Sequence, residues 1–212
     1  MKKIISLITS ILLVLSFSIP VFAREAVNYC ELNVSLLNPL TNEQIKYTKS
    51  VPIKQKSILV PLSGKNTIEI INEANSVISL GEYIKQSYGK EMKISATQES
   101  GYSVNDSDIK IKTGLKWYSK GENIKLTHIT GAVENKGLFY AGNKRVSWRN
   151  SVSGNGDVFY PTTNSWSKSV TDSYSYYYRS LAPYSILDVT VHVSGMSSTR
   201  KLSVRFDILT IS

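Results

Sequence analysis

The sequence has little of the chemistry from which disulfide frameworks and metal centres are built. It contains one cysteine and two histidines among 212 residues, so an intramolecular disulfide is excluded. The histidines, His128 and His192, lie far apart along the chain, and neither has a second candidate ligand near it in sequence. A metal site needs several such ligands at fixed spacing. We therefore expect no metal and no cofactor.

Motifs of nucleophilic catalysis are also missing. The G-x-S-x-G pattern of a strained serine elbow does not occur. Cys30 alternates with leucine and valine on one face of a predicted strand, where a thiol is buried and undissociated. Three acids lie in predicted loops, but nothing pairs them for glycoside cleavage: Glu122, Glu134 and Asp157. The sequence predicts no catalytic residue and no enzyme, with a cell-wall hydrolase as a remote alternative.

A long apolar run occurs at the N-terminus, from Ile4 to Ile19, directly after Lys2 and Lys3. Pro20 ends it, and Val21-Phe22-Ala23 places small or branched residues at the −3 and −1 positions of a cleavage site. We expect residues 1–23 to be a signal peptide cleaved after Ala23, and the protein to be secreted. The alternative is a retained membrane anchor, for which the run is short against the roughly 20 residues of a spanning helix.

Acidic residues are in the minority. Without Lys2 and Lys3, 23 basic and 16 acidic residues remain, which gives residues 24–212 a formal charge of +7. The lysines are scattered and form no run of five or more, so much of this charge is typical of a solvated surface. A basic exported protein also attracts anionic polymers and acidic lipid head groups.

Alternating apolar and polar residues predict many short strands and almost no helix. The final hairpin is the clearest of these, because Leu187 to Val193 and Leu202 to Ile208 each present one apolar and one polar face. Pro52 and Pro61 favour sheet edges for the second and third strands. The predicted strands are Tyr29–Leu37, Ile45–Val51, Ser57–Leu62, Thr67–Ile71, Glu91–Thr97, Ile109–Trp117, Asn123–Val133 and Lys144–Trp148, followed by the final hairpin. The fold class is all-β, mainly an antiparallel β-sandwich.

Two parts of this organisation remain open. Asn72 to Tyr88 fits a short helix with Gly89 as its stop, but Leu80-Gly81 and the β-branched content fit a strand, a turn and a strand equally well. The polar stretch from Gln98 to Asp108 is the best internal boundary. It divides the chain into an N-terminal β-rich segment, 24–98, and a C-terminal β-sandwich domain, 107–212, unless residues 24–212 form one continuous domain.

An aromatic run from Val158 to Arg179 combines tyrosine, tryptophan and serine with almost no acid. Tyrosine and tryptophan give large, rigid rings with a polar tip and are enriched at interfaces, which predicts a contact surface. The same rings could instead clad the edge of the hairpin that follows. Basic and aromatic residues also alternate near the end of the preceding strand. The candidate binding residues are Trp148, Arg149, Tyr160, Trp166 and Tyr177.

The order of several segments resembles that of a family. They are a strand ending in Trp117, the stretch Ile124 to Gly131, the strand Lys144 to Trp148, the pair Ser165-Trp166 and the final hairpin. In this order they resemble small signal-peptide-bearing secreted proteins of Gram-positive bacteria, mostly of unknown function. The resemblance covers residues 107–212 and implies an exported β-sandwich, without assigning a functional residue.

These observations predict a secreted, non-catalytic binding protein that acts at the cell envelope or beyond it. The expected partner is an anionic cell-wall polymer or another protein, and no nucleic acid is expected. Basic charge and tyrosine-rich amphipathic strands favour one alternative, a membrane-active protein of the pore-forming or bacteriocin kind, so membrane contact stays open.

Overall fold

The chain folds into two antiparallel β-sheets that enclose one hydrophobic core. The computed structural model describes residues 29–62, 65–81, 108–194, 197 and 199–209. The strands are β1 (Tyr29–Leu37), β2 (Gln44–Pro52), β3 (Lys54–Leu62), β4 (Lys65–Ser79), β5 (Asp108–Lys120), β6 (Asn123–Lys136), β7 (Phe139–Asn150), β8 (Asn155–Phe159), β9 (Ser165–Ser169), β10 (Ser175–Tyr176), β11 (Tyr184–Val193) and β12 (Thr199–Ile208). One turn of 3-10 helix spans Arg179–Leu181. The all-β, antiparallel prediction is confirmed.

Strands from both halves of the sequence contribute to both sheets. The first sheet has the order β2-β1-β12-β11-β7-β8, and the second has the order β10-β6-β5-β4-β3, with β9 also paired to β6. β1 lies against β12, so that Cys30 is opposite Ile208, and β4 lies against β5. The strands between residues 29 and 79 therefore form no sheet of their own. The edge positions predicted from Pro52 and Pro61 are confirmed, because β2 and β3 are edge strands.

The alternation read from the sequence places the core side chains. On β1, Cys30, Leu32, Val34 and Leu36 are buried, as predicted. The final hairpin faces as predicted too. Its buried residues are Leu187, Val189 and Val191 on β11, and Leu202, Val204, Phe206 and Ile208 on β12. Trp117, Ile109 and Leu126 close the core from the second sheet.

One local prediction is wrong in part, and another lies outside the described residues. The helix considered for Asn72 to Tyr88 is wrong over residues 72–79, which continue β4 and pair with β5. Pairing with β5 determines the structure there and overrides the helical spacing of the apolar residues. Residues 82–107, which include the predicted strand Glu91–Thr97, lie outside the described residues. The reversal between β6 and β7 is tight, since β6 runs to Lys136 and β7 starts at Phe139, with Gly137 at a φ of 68°.

The aromatic run connects the two sheets along one open side. It leaves the first sheet after β8, adds β9 and β10 to the free edge of β6 in the second sheet, and returns to the first sheet as β11. Two short strands on one edge, separated by an irregular segment, cover that edge from further pairing. Edge cladding is therefore one role of this run.

Candidate functional site

A groove of about 570 Å³ opens at the end of the second sheet that carries the β5–β6 turn. We call it the tyrosine groove. Its walls come from β4, from the β5–β6 turn and from β10, and its lining residues are Ile68, Ile70, Ser119, Gly121, Glu122, Tyr176 and Tyr177. Its volume is in the range of sites that hold small organic ligands.

The turn between β5 and β6 shapes the floor of the groove. Gly121 has a φ of 55°, a left-handed conformation that favours glycine and lets the chain reverse within two residues. The turn brings Glu122 to the groove, and the carbonyl oxygen of Glu122 accepts a 2.8 Å hydrogen bond from the backbone amide of Tyr177. The aromatic run is thus held against the turn by its backbone, which leaves the neighbouring tyrosine side chains to line the groove.

Tyr177 is the fixed ring of the tyrosine groove. Its hydroxyl donates a 2.9 Å hydrogen bond to the carbonyl oxygen of Ile208, and its ring packs against the core. Burial raises the pKa of Tyr177 to about 12, because the phenolate would lose its hydration. The hydroxyl is therefore a neutral donor at physiological pH.

Tyr176 and Tyr178 are the exposed rings beside it. Their ring centroids are 4.9 Å apart and the planes are tilted by 49°, a tilted contact of the kind that aromatic pairs prefer over a face-to-face stack. A hydrogen bond to the Glu122 carboxylate raises the pKa of Tyr176. The groove thus presents the ring of Tyr176, with Tyr178 beside it, next to a carboxylate that can accept hydrogen bonds from a ligand hydroxyl.

Tyr174 extends the aromatic surface onto the outer face of the second sheet. Burial, together with a hydrogen bond to the Glu69 carboxylate, raises the pKa of Tyr174 to about 12. The ammonium of Lys125 lies 5.8 Å from the ring centroid, within the range of a cation–π contact. A positive charge therefore lies close to the aromatic rings of this end of the molecule.

A buried carboxylate holds the aromatic run in place. Asp172 is almost fully buried, and it accepts five hydrogen bonds of 2.7–3.2 Å. The donors are the amides of Leu126 and Ser173, the side-chain amides of Asn150 and Asn155, and the hydroxyl of Ser153. A buried charge is tolerated only when it is paired or hydrogen-bonded in this way. Asp172 joins the run to both sheets and so positions the tyrosines that follow it.

The predicted binding residues do not lie together. Trp148 is 5% exposed and belongs to the core, so we remove it from the candidate surface. Its neighbour Arg149 alternates to the outer face and is exposed, and Tyr160 is 68% exposed in the segment that follows β8. Trp166 lies on β9. Among the five predicted residues, Tyr177 alone lines the tyrosine groove.

Trp166 has a packing role. Its indole covers Gly131 of β6 so closely that a Cβ there would lie 2.3 Å from the ring. Glycine is thus needed opposite the ring, and the ring packs against the core cluster. The indole Nε1 is buried and has no hydrogen-bond partner among the residues that the structure describes. Trp166 is thus a packing residue that covers β6 at the edge of the second sheet.

The backbone of β5 approaches β4 closely at Gly114, where a Cβ would lie 2.0 Å from the side-chain oxygen of Asn75. Cys30 is fully buried, and its burial, with a smaller contribution from the nearby Asp207 charge, raises the pKa of its thiol.

Across the described ranges, no group of three or more acidic, histidine or cysteine side chains could hold a metal ion. The described residues also contain no helix long and apolar enough to cross a membrane.

The geometry defines a class, an all-β sandwich with an aromatic groove at one end. Within that class no particular relative was found, since no family model, curated protein or solved structure matches the chain.

Proposed function

We propose that the protein is a secreted, non-catalytic binding protein that acts at the cell envelope, with the tyrosine groove as its contact surface. The observation that carries this proposal is the groove itself, in which the exposed ring of Tyr176, the half-buried ring of Tyr177, two isoleucine side chains and the carboxylate of Glu122 converge. Ligand sites are typically concave and largely apolar, with a few placed polar groups.

The ligand class that fits this lining best is a wall glycan. A sugar ring has an apolar C–H face that can lie against an aromatic ring, and hydroxyls at its rim that need acceptors. Tyr176 supplies a ring face inside the groove, Tyr178 supplies a second one beside it, and Glu122 supplies hydrogen-bonding oxygens. A protein partner that inserts an apolar side chain between Ile68 and Tyr176 is the competing ligand.

The net charge favours an anionic wall polymer over a neutral one. Residues 24–212 carry a formal charge of +7, and Lys125 lies beside Tyr174 near the groove. Exposed charges raise the rate of encounter with an anionic polymer, and salt screens them over about 8–10 Å at physiological ionic strength. Retention of the protein on the wall should therefore weaken as the salt concentration rises. The retention that persists at high salt should depend on the tyrosine rings of the groove.

The test compares two tyrosines of equal exposure. Tyr176 in the groove is 44% exposed and Tyr140, stacked on His192 on the first sheet, is 45% exposed. We expect Tyr176→Ala to lower retention on purified cell wall by about tenfold, the value of one buried aromatic contact, and Tyr140→Ala to leave it unchanged. Both variants should melt like the wild type.

Three results would redirect this proposal. Equal retention of the two variants would show that the tyrosine groove does not bind the wall. If Tyr176→Ala lost retention on intact envelopes but kept it on purified wall, the groove would be assigned to a protein partner. Turnover of wall material that disappears in Glu122→Gln would make the protein a hydrolase.

A further inference from the structure

A two-stranded arm projects from the second sheet beside the tyrosine groove. It consists of residues 58–62 of β3 and residues 65–69 of β4, which pair with one another. Pairing of β4 with β5 begins only at Ile70, opposite Ser119. Within the described chain, the arm therefore has no third strand on either side. Five residues per strand give it a length of about 16 Å.

The arm is apolar on more than one face. Leu59 and Ile68 are directly opposite each other and are 69% and 61% exposed. Ile58 and Val60 alternate with Leu59 and are only partly covered. Isolated two-stranded hairpins are marginal in water, and exposed apolar surface of this kind marks an interaction site. The fold does not need these side chains, because they lie beyond the core.

Basic residues surround this apolar arm. Residues 54–70 contain three lysines and one acid, and Lys54 and Lys56 are exposed at the base of the arm. The acid, Glu69, holds the hydroxyl of Tyr174. An apolar stretch with Lys54 and Lys56 before it and Lys65 within the same hairpin matches a bilayer interface, where hydrocarbon lies next to a layer of anionic head groups.

We propose that the arm is a lipid-contact element, which inserts Leu59 and Ile68 at the surface of an anionic bilayer while Lys54 and Lys56 contact the head groups. A groove in a protein partner, or a second copy of the chain, would cover one face of a hairpin. A bilayer surrounds an inserted hairpin, so it can accommodate apolar residues on both faces of the arm. Ile68 also lines the tyrosine groove, whereas Leu59 does not, so Leu59 is the residue that separates this inference from glycan binding by the groove.

The experiment measures sedimentation of the purified protein with vesicles of phosphatidylcholine, with and without phosphatidylglycerol. We expect binding to the anionic vesicles, lost at high salt. Leu59→Ser should weaken it about tenfold, because one leucine no longer leaves water. The matched control is Leu40→Ser, since Leu40 is 77% exposed in the β1–β2 turn, and its binding should be unchanged. Lys54→Gln with Lys56→Gln should cost about fivefold for each lysine.

Each other outcome overturns the proposal. Absence of vesicle binding, or equal binding of Leu59→Ser and Leu40→Ser, removes the arm as a lipid contact. A wild-type dimer in solution that becomes monomeric in Leu59→Ser assigns the arm to self-association instead. Failure of the groove is seen separately, since Tyr176→Ala should bind vesicles like the wild type while losing wall retention.

Discussion

The hydroxyl of Tyr177 donates a 2.9 Å hydrogen bond to the carbonyl oxygen of Ile208, the last residue of β12. Tyr177 follows directly on β10 in the second sheet, and β12 lies in the centre of the first. One phenol thus joins the aromatic run to the opposite sheet. It keeps the inner wall of the tyrosine groove at a fixed distance from the core.

Tyr177→Phe tests this bond. The variant keeps the ring in the core but leaves the Ile208 carbonyl without its donor, so we expect the free energy of unfolding to fall by about 1 kcal/mol. The control is Tyr178→Phe, whose ring is exposed and where the change should stay within about 0.5 kcal/mol. Urea denaturation of both variants measures the difference. Equal values would mean that the hydrogen bond contributes no net stability.

The same phenol predicts how stability depends on alkaline pH. The pKa of Tyr177 is about 12, raised from an ordinary value of 10.0 chiefly by burial. A raised pKa in the folded state means that its contribution is fully present below the unfolded pKa and is lost as pH rises from about 10 to 12. We expect the unfolding free energy to decline over this window, less steeply in Tyr177→Phe. Parallel curves would contradict the assignment.

Asp172→Ala should be costly because it leaves five donors without their acceptor in a largely buried setting. We expect a loss of about 3 kcal/mol in the free energy of unfolding. Asp157→Ala is the control, since Asp157 is exposed and bonds only the next amide among the described contacts. Chemical denaturation gives both values, and a loss below 1 kcal/mol on the scale of a single neutral hydrogen bond would refute the anchoring role.

The final hairpin gives the sharpest stability contrast. Val191 faces the core, and the preceding residue, Thr190, faces outward opposite Lys201. Val191→Asp buries an unpaired charge and should prevent folding, as should Phe206→Asp. Thr190→Asp should fold with a normal melt. Circular dichroism and thermal melting distinguish these outcomes, and a native-like melt of Val191→Asp would show that the facing is wrong.

Most of the fold could be predicted from the alternation of apolar and polar residues along single strands. Cys30 and Phe206 were placed in the core correctly because a strand has a period of two, so neighbours in sequence fix which face is apolar. Pro52 and Pro61 placed two strands at edges because proline lacks an amide for the ladder. These are local rules, and they needed no knowledge of the partner strand.

The candidate site depended on pairing that local rules do not give. Ile68, Ser119 and Tyr176 meet at the groove only because β4, β5, β6 and β10 adopt one register. Trp148 was placed at the surface from its basic neighbours, although its alternation with Val146 already indicated the core. Asp172 was missed because a lone acid in a serine-rich stretch looks like a solvated residue, and four of its five donors come from distant segments.

Hydrogen–deuterium exchange of the protein with and without solubilised wall polymer is the decisive measurement for binding at the tyrosine groove. We expect slower exchange over residues 119–122 and 174–178, which form the tyrosine groove and its rim, with no change over residues 139–141 around the control tyrosine. Slower exchange confined to the segment around Tyr160, or none in any segment at saturating polymer, would contradict it.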